Sequence, residues 1–301
     1  MVINAFNGVY FAVLGVFAAL TIGLSLILKN RSENVRKWTI IGICIANIIF
    51  FWVYKYWLSI DIEYLHMTGY DKINWFNELP LQLCNINMFL IPTALLTKKR
   101  GLLGFCFVVA PVAALLAMTF PSVGFAGYSI FLPRNLGFFI THGLIITCAI
   151  CLATLGFYRP KVRDLPGIAL TLFILSSALF GVNHLLRATG LCAEANYFYT
   201  VEPAGISILE VFWSIIPVQF VYLAVFGLII LVVYFLILCL FFGLGKKKAD
   251  KTEDTEIGES AAIEEQTADE QDAEAENTDN EADDEEAAES DKAEADETPA
   301  Q

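Results

Sequence analysis

The sequence predicts an all-α, polytopic membrane protein with seven transmembrane helices, an N-terminus outside and a disordered acidic tail in the cytoplasm. Three observations lead to this prediction. Apolar blocks of about 20 residues recur along the chain, and this is the length of helix that crosses the hydrocarbon core of a bilayer. The loops between the blocks are alternately rich and poor in basic residues. The C-terminal end changes abruptly to acidic sequence of low complexity.

The apolar blocks contain more apolar surface than one soluble core could bury. The chain has 301 residues, of which 56% are hydrophobic, and a mean hydropathy of +0.60. We place the spans near residues 5–28, 38–60, 79–97, 101–119, 133–157, 166–188 and 214–244. The first block precedes a basic cluster and has no basic residue before it, so we interpret it as a retained anchor rather than a cleaved signal peptide.

The net charge of −13 combines two regions of opposite sign. Residues 1–245 carry 14 Lys and Arg against 9 Asp and Glu, whereas residues 249–301 carry 2 Lys against 23 Asp and Glu. A segment so acidic and so poor in aromatic residues cannot bury enough apolar surface to become ordered. We therefore predict a membrane domain over residues 1–245 and a disordered tail over residues 246–301. A binding partner for the tail stays an open alternative.

The basic residues fall mainly on one side of the predicted membrane. Alternate loops and the start of the tail hold thirteen of them, namely Lys29, Arg31, Arg36, Lys37, Lys98, Lys99, Arg100, Arg159, Lys161, Arg163, Lys246, Lys247 and Lys248. The opposite side holds four, namely Lys55, Lys72, Arg134 and Arg187. Because basic loops stay in the cytoplasm, we predict a multi-pass protein of the cell membrane with its tail in the cytoplasm.

The seven cysteines do not suggest a disulfide framework. Six lie inside apolar blocks, and Cys192 lies in a predicted outer loop that has no second cysteine. No cluster of residues has metal-ligand spacing. We expect no metal, no cofactor and no nucleic-acid partner, and we expect membrane lipids as the partners.

Polar side chains inside apolar spans mark the candidate site, because they are costly in a bilayer unless they face the bundle interior. The third span begins at the outer side and contains Gln82, Cys84, Asn85 and Asn87 within its first nine residues. Cys84 lies about five residues into this span, or roughly 8 Å deep at 1.5 Å per residue.

Two histidines lie in the same half of the membrane as Cys84. His142 follows the outer start of the fifth span by about nine residues, or roughly 13 Å. Asn183 and His184 lie about one turn before the outer end of the sixth span, and Asn196 lies in the loop that follows. A thiol beside an imidazole can act as a nucleophile with a general base, and nearby amides can donate to an oxyanion. Depth alone makes His184 as suitable a base as His142.

The ordinary interpretation of the same residues stays open. Most membrane cysteines are small packed side chains, and most intramembrane histidines hydrogen-bond between helices. Spacing along the chain cannot tell whether Cys84 and His142 touch.

Five short motifs resemble the YwaF-like bacterial integral membrane protein family, which is related to animal transmembrane protein 164. The chain reads LPLQLCNINMFLIP at residues 79–92, FFITHGLII at 138–146, GFYRP at 156–160, FGVNHLL at 180–186 and NYFYT at 196–200. The resemblance covers most of residues 40–240, and the tail lies outside it. The family segment often has a histidine two residues before the cysteine, where this chain has Gln82, which cannot act as a base.

The resemblance implies a phospholipid acyltransferase or transacylase. The animal relative is similar to a membrane acyltransferase that uses a cysteine nucleophile, and this cysteine corresponds to Cys84, with His142 as the corresponding histidine. A site in the outer half of the bilayer has no access to cytoplasmic coenzyme A, so the acyl donor would be a lipid. Two other functions stay open: a non-enzymatic binding or transport protein for a small or lipidic ligand, and a sensory or assembly protein that signals through its tail.

Overall fold

A computed structural model describes residues 1–121 and 124–243 of the chain. It is almost entirely helical, as the hydropathy pattern predicts. The nine helices of the described residues are α1 (Gly8–Leu28), α2 (Glu33–Ser59), α3 (Ile62–Thr68), α4 (Asn87–Thr97), α5 (Arg100–Thr119), α6 (Pro133–Thr154), α7 (Leu165–Ala188), α8 (Ser207–Ile215) and α9 (Val221–Gly243). Short 3₁₀ turns occupy Val162–Asp164 and Tyr197–Tyr199.

Six of these helices are long and apolar enough to cross a membrane: α1, α2, α5, α6, α7 and α9. Helix α6 is the centre of the bundle, because two thirds of its most apolar window is buried, against about a tenth for α1 and α9. It packs against α1, α2 and α5. The protein is therefore a multi-pass membrane protein arranged around α6.

The third predicted span differs from a regular transmembrane helix, so the count of seven long spans is not confirmed. Within residues 79–97 only the last eleven form a helix, α4, and eleven residues rise only about 16 Å. The preceding residues 79–86 contain Pro80, which has no backbone N–H to donate, and three polar or thiol side chains. Short turn bonds such as Asn87 N to Cys84 O, at 3.2 Å, replace the helical ladder there.

The last predicted span, residues 214–244, is also divided. Helix α8 ends at Ile215, and α9 begins at Val221, with Pro217 between them. The predicted tail and the end of this span fall outside the described residues. Residues 1–240 form one compact unit, and only the first three residues of the second unit, 241–243, are described.

The two ends of the bundle carry different structures. Strand β1 (Val2–Ile3) pairs antiparallel with β2 (Tyr128–Ser129) at the end that also carries α3 and the segment 189–206. We call this the outer end, following the orientation that the basic residues predict. Buried Arg134 at the start of α6 binds Asp61 at 2.7 Å and Glu63 at 3.1 Å, which attaches α3 to α6. At the inner end Arg100 binds Asp164.

Candidate functional site

The central helix α6 holds His142 inside the bundle. The side chain is 3% exposed, and its ring lies 4.3 Å from the ring of Phe138 one turn earlier. Small residues on the same helix allow close packing around it. A Cβ added to Gly137 would lie 2.3 Å from Tyr54 of α2, and one added to Gly143 would lie 2.3 Å from Phe17 of α1.

The irregular segment before α4 holds Cys84, which is 8% exposed. Polar side chains replace the missing helical bonds of this segment. Asn87 donates to the carbonyl of Leu83 at 2.7 Å. The side-chain carbonyl of Gln82 accepts from the backbone N–H of Phe198 at 3.2 Å, in the loop after α7. At the position where the resembling family often has a histidine, this chain therefore has an acceptor that binds a loop.

The Cys84 thiol and the His142 ring are in contact, with Sγ 3.3 Å from Nε2. The other ring nitrogen, Nδ1, lies 2.8 Å from the carbonyl oxygen of Phe138. A carbonyl can only accept, so Nδ1 carries the proton in this bond and Nε2 of the neutral ring presents its lone pair to the thiol. The geometry therefore places an acceptor nitrogen beside an S–H group, away from bulk water.

His184 does not share this contact. Its side chain is exposed, and its ring packs edge-on against Phe180 at 4.4 Å. Among the described residues, the structure thus brings together Cys84 and His142 and leaves the second candidate histidine on the bundle surface.

Three of the four asparagines predicted as oxyanion donors already use their amides within the fold. Asn183 donates to Tyr197 O and Thr200 Oγ1, both at 2.9 Å, and Asn196 donates to Glu202 O at 2.8 Å. Asn87 donates to Leu83 O at 2.7 Å. Asn85 and Asn87 share a second feature. Each is buried and has a side-chain carbonyl oxygen with no hydrogen-bond partner among the described residues.

A buried ion pair lies next to the site and was not predicted from the sequence. Lys55 near the end of α2 binds Glu78, just before the Cys84 segment, and both side chains are at most 16% exposed. The ammonium lies 4.9 Å from the Tyr54 ring centroid, and Tyr54 packs against Gly137 of α6, five residues before His142. A lysine near a helix end usually extends to water, so Lys55 alone gave no reason to expect a buried pair. The one signal in the sequence was the acidic Glu78 immediately before the polar segment.

Tyrosines around the outer end stay protonated. Burial raises the pKa of Tyr197 well above its ordinary value, and its hydroxyl donates to Phe76 O at 2.5 Å. Burial and the nearby Cys84 raise the pKa of Tyr199. These hydroxyls are therefore donors at neutral pH. In the part of the chain that the structure describes, no group of three or more His, Cys, Asp or Glu side chains is placed to hold a metal ion.

Among three comparisons with known proteins, only the comparison with family models gives a match. Neither a search of curated proteins nor a search of solved structures yields a significant match. A family model matches residues 5–238, which cover every described helix except the last residues of α9 and include the Cys84 and His142 positions. The chain therefore belongs to the TMEM164 family.

Proposed function

We propose that the protein is a lipid acyltransferase in which Cys84 is the nucleophile and His142 is the general base. One observation carries the proposal: the 3.3 Å contact between the thiol and the unprotonated Nε2. Membership of the TMEM164 family supports a membrane lipid as the substrate, because the resemblance described above implies phospholipid acyl transfer.

The proposed first half-reaction forms a thioester. Cys84 Sγ bonds to the carbonyl carbon of a phospholipid ester while the thiol proton moves to His142 Nε2. The tetrahedral intermediate then collapses, the carbon–oxygen ester bond breaks, and His142 returns the proton to the leaving lysolipid oxygen. In the second half-reaction the hydroxyl of an acceptor lysolipid attacks the thioester, His142 takes the hydroxyl proton, and Cys84 leaves and regains a proton from His142.

The test uses purified protein in vesicles that contain a phospholipid with an isotope-labelled acyl chain and an unlabelled lysophospholipid acceptor. We expect label in the acceptor and, in samples quenched with acid, a labelled acyl adduct on the peptide that contains Cys84. Cys84→Ala should abolish both signals. Cys192→Ser, which changes another buried thiol at the outer end, should leave both signals at the wild-type level. Transfer at the wild-type rate by Cys84→Ala would rule the proposal out.

A second candidate function is non-enzymatic binding of a small or lipidic ligand. The observation that favours it is a group of buried polar atoms without partners among the described residues, namely Asn47 Oδ1, Asn85 Oδ1, Asn87 Oδ1 and Thr141 Oγ1. Buried polar atoms ordinarily have a hydrogen-bond partner, and a bound ligand would supply one here. Lipid retained equally by wild type and Cys84→Ala, with no label in the acceptor, would support this function instead.

A further inference from the structure

A second cavity-bearing region lies at the inner end of the bundle, at the opposite end from the Cys84–His142 pair. The cavity has a volume of about 240 Å³ and is surrounded by the inner ends of α2, α4, α5 and α6. Its charged lining residues are Glu33, Arg36, Lys98 and Arg100. Neither Cys84 nor His142 lines it, so an inference about this cavity is independent of the proposed acyl transfer.

One positive charge in this cavity has no acidic partner. Lys98 binds Glu33 at 2.7 Å, and Arg100 binds Asp164, with Nε 2.8 Å from Oδ1. In the part of the chain that the structure describes, no carboxylate lies within ion-pair distance of the Arg36 guanidinium. A half-buried charge without a counter-ion is unfavourable, so the cavity would gain stability from a bound anion.

The backbone after α6 holds the Arg36 guanidinium in place. Nη1 donates to Leu155 O at 2.6 Å, and the guanidinium carbon lies 5.8 Å from the centroid of the Phe157 ring. Between these two residues, Gly156 has φ 81°, a left-handed conformation that suits glycine. Gly156 and Phe157 begin the GFYRP motif at residues 156–160, which the proposed acyl transfer does not use.

The remaining edge of the guanidinium can bind an anion. Nε of Arg36 is buried and has no hydrogen-bond partner among the described residues, and the Leu155 bond uses only Nη1. Buried donors rarely stay unpaired in folded proteins. Nε and Nη2 together form the planar fork that donates two parallel hydrogen bonds to carboxylate or phosphate oxygens.

The surroundings favour a phosphate group over a neutral ligand. Helix α5 begins at Arg100 without a side-chain cap, and its first turn lies at the cavity, because Arg100 and Leu103 both line it. Phosphates bind readily at helix N-termini, where unpaired N–H groups and the helix dipole attract negative charge. The apolar residues Leu95 and Leu103 line the same cavity, as a lipid ligand would require.

We propose that this inner-end cavity binds a phosphate group, to which Arg36 donates hydrogen bonds through Nε and Nη2. Two sources could supply the phosphate: the headgroup of an anionic phospholipid in the inner leaflet, or a soluble phosphate compound. Basic pockets between helices on the cytoplasmic side of membrane proteins are typical binding sites for anionic headgroups.

The test titrates the purified full-length protein in nonionic detergent with dihexanoyl phosphatidic acid, glycerol 3-phosphate and inorganic phosphate, and with dihexanoylglycerol as a probe without phosphate. Calorimetry measures the dissociation constant, and the melting temperature without probe shows whether each variant is folded. We expect saturable binding of phosphatidic acid to the wild type and no binding of dihexanoylglycerol. Arg36→Gln should weaken binding by about 10–100-fold, because hydrogen bonds from a charged donor are lost.

Two further variants are compared with Arg36→Gln. Lys37→Gln removes the same charge from the next residue, which does not line the cavity, so it should bind phosphatidic acid like the wild type. Arg36→Lys keeps the charge and can donate to Leu155 O, but it lacks the planar fork, so it should also bind more weakly than the wild type. This second variant tests the proposal even if Arg36→Gln does not fold.

The results distinguish the sources and can overturn the proposal. Binding of phosphatidic acid alone would support a lipid headgroup, and binding of the soluble probes as well would show that the phosphate group is sufficient. Absence of saturable binding of any phosphate probe to the wild type would overturn the proposal. Equal weakening by Arg36→Gln and Lys37→Gln, or wild-type affinity in both Arg36 variants, would do the same.

Discussion

The tautomer of the His142 ring determines whether the ring can accept the proton of the Cys84 thiol. The N–H at Nδ1 donates to the carbonyl of Phe138, which belongs to the same helix. A hydrogen bond within α6 therefore fixes the tautomer of His142. A ring that donated through Nε2 instead would offer the thiol no acceptor. The depth of the two residues along their spans could be predicted, but the contact could not, because it depends on the rotation of α6 and on an irregular segment.

The two outer-half histidines allow a matched test of this chemistry. His142→Asn should lower acyl transfer by about 10²–10⁴-fold, because the group that accepts the thiol proton is lost. It should also slow alkylation of Cys84 by N-ethylmaleimide near neutral pH, since less thiolate forms. His184→Asn should leave both rates unchanged, because His184 is exposed and packs on Phe180. An equal loss in the two variants would contradict the assignment of His142 as the base.

At the scale of the elements, close helix contact around α6 sets the position of the site. Gly137 faces Tyr54 of α2, and Gly143, which follows His142, faces Phe17 of α1. Without a Cβ at these positions the helices approach closely, as is usual for small residues in membrane bundles. The sequence alone does not show which glycines meet a side chain of another helix.

Replacement of Gly137 tests the importance of this contact. In Gly137→Ala the new Cβ would lie 2.3 Å from Tyr54 Cβ, so α2 and α6 must separate. Overpacking of this kind typically lowers the free energy of unfolding by about 1–3 kcal/mol, and we expect a lower melting temperature and slower acyl transfer. Gly181→Ala on α7 is the control, because nothing lies within 4 Å of its Cβ. A melting temperature for Gly137→Ala as high as that of Gly181→Ala would contradict this account.

At the scale of the whole molecule, the distribution of charge predicts how the protein is oriented in the membrane. The proposal of an outer-leaflet substrate depends on this orientation. The inner end carries the basic loops and the Arg100–Asp164 ion pair, whereas the outer end carries α3, the β1–β2 pair and the loop 189–206. Cys84 and His142 belong to the outer half under this orientation. The acidic tail, which the same rule assigns to the cytoplasm, lies outside the described residues.

Engineered cysteines at exposed positions test the orientation. A membrane-impermeant maleimide should label Lys72→Cys in intact cells, because this residue lies in the loop between α3 and α4 at the outer end. Arg163→Cys, which is also exposed but lies at the inner end, should react only after permeabilisation. The wild-type protein, whose native cysteines are mostly buried, measures the background. The reverse pattern would place the site in the cytoplasmic leaflet and admit a coenzyme A donor.

Composition, hydropathy and charge were sufficient to predict a multi-pass helical protein, because the bilayer imposes length and polarity on each segment independently of its neighbours. They also indicated the candidate site residues, since a polar or thiol group in an apolar span is recognisable from the sequence alone. Two features were not predictable in this way. They are the break of the third span into turns and α4, and the contact of Cys84 with His142 rather than with His184. Each depends on how separate helices rotate and approach one another, and such contacts exist only after the chain has packed.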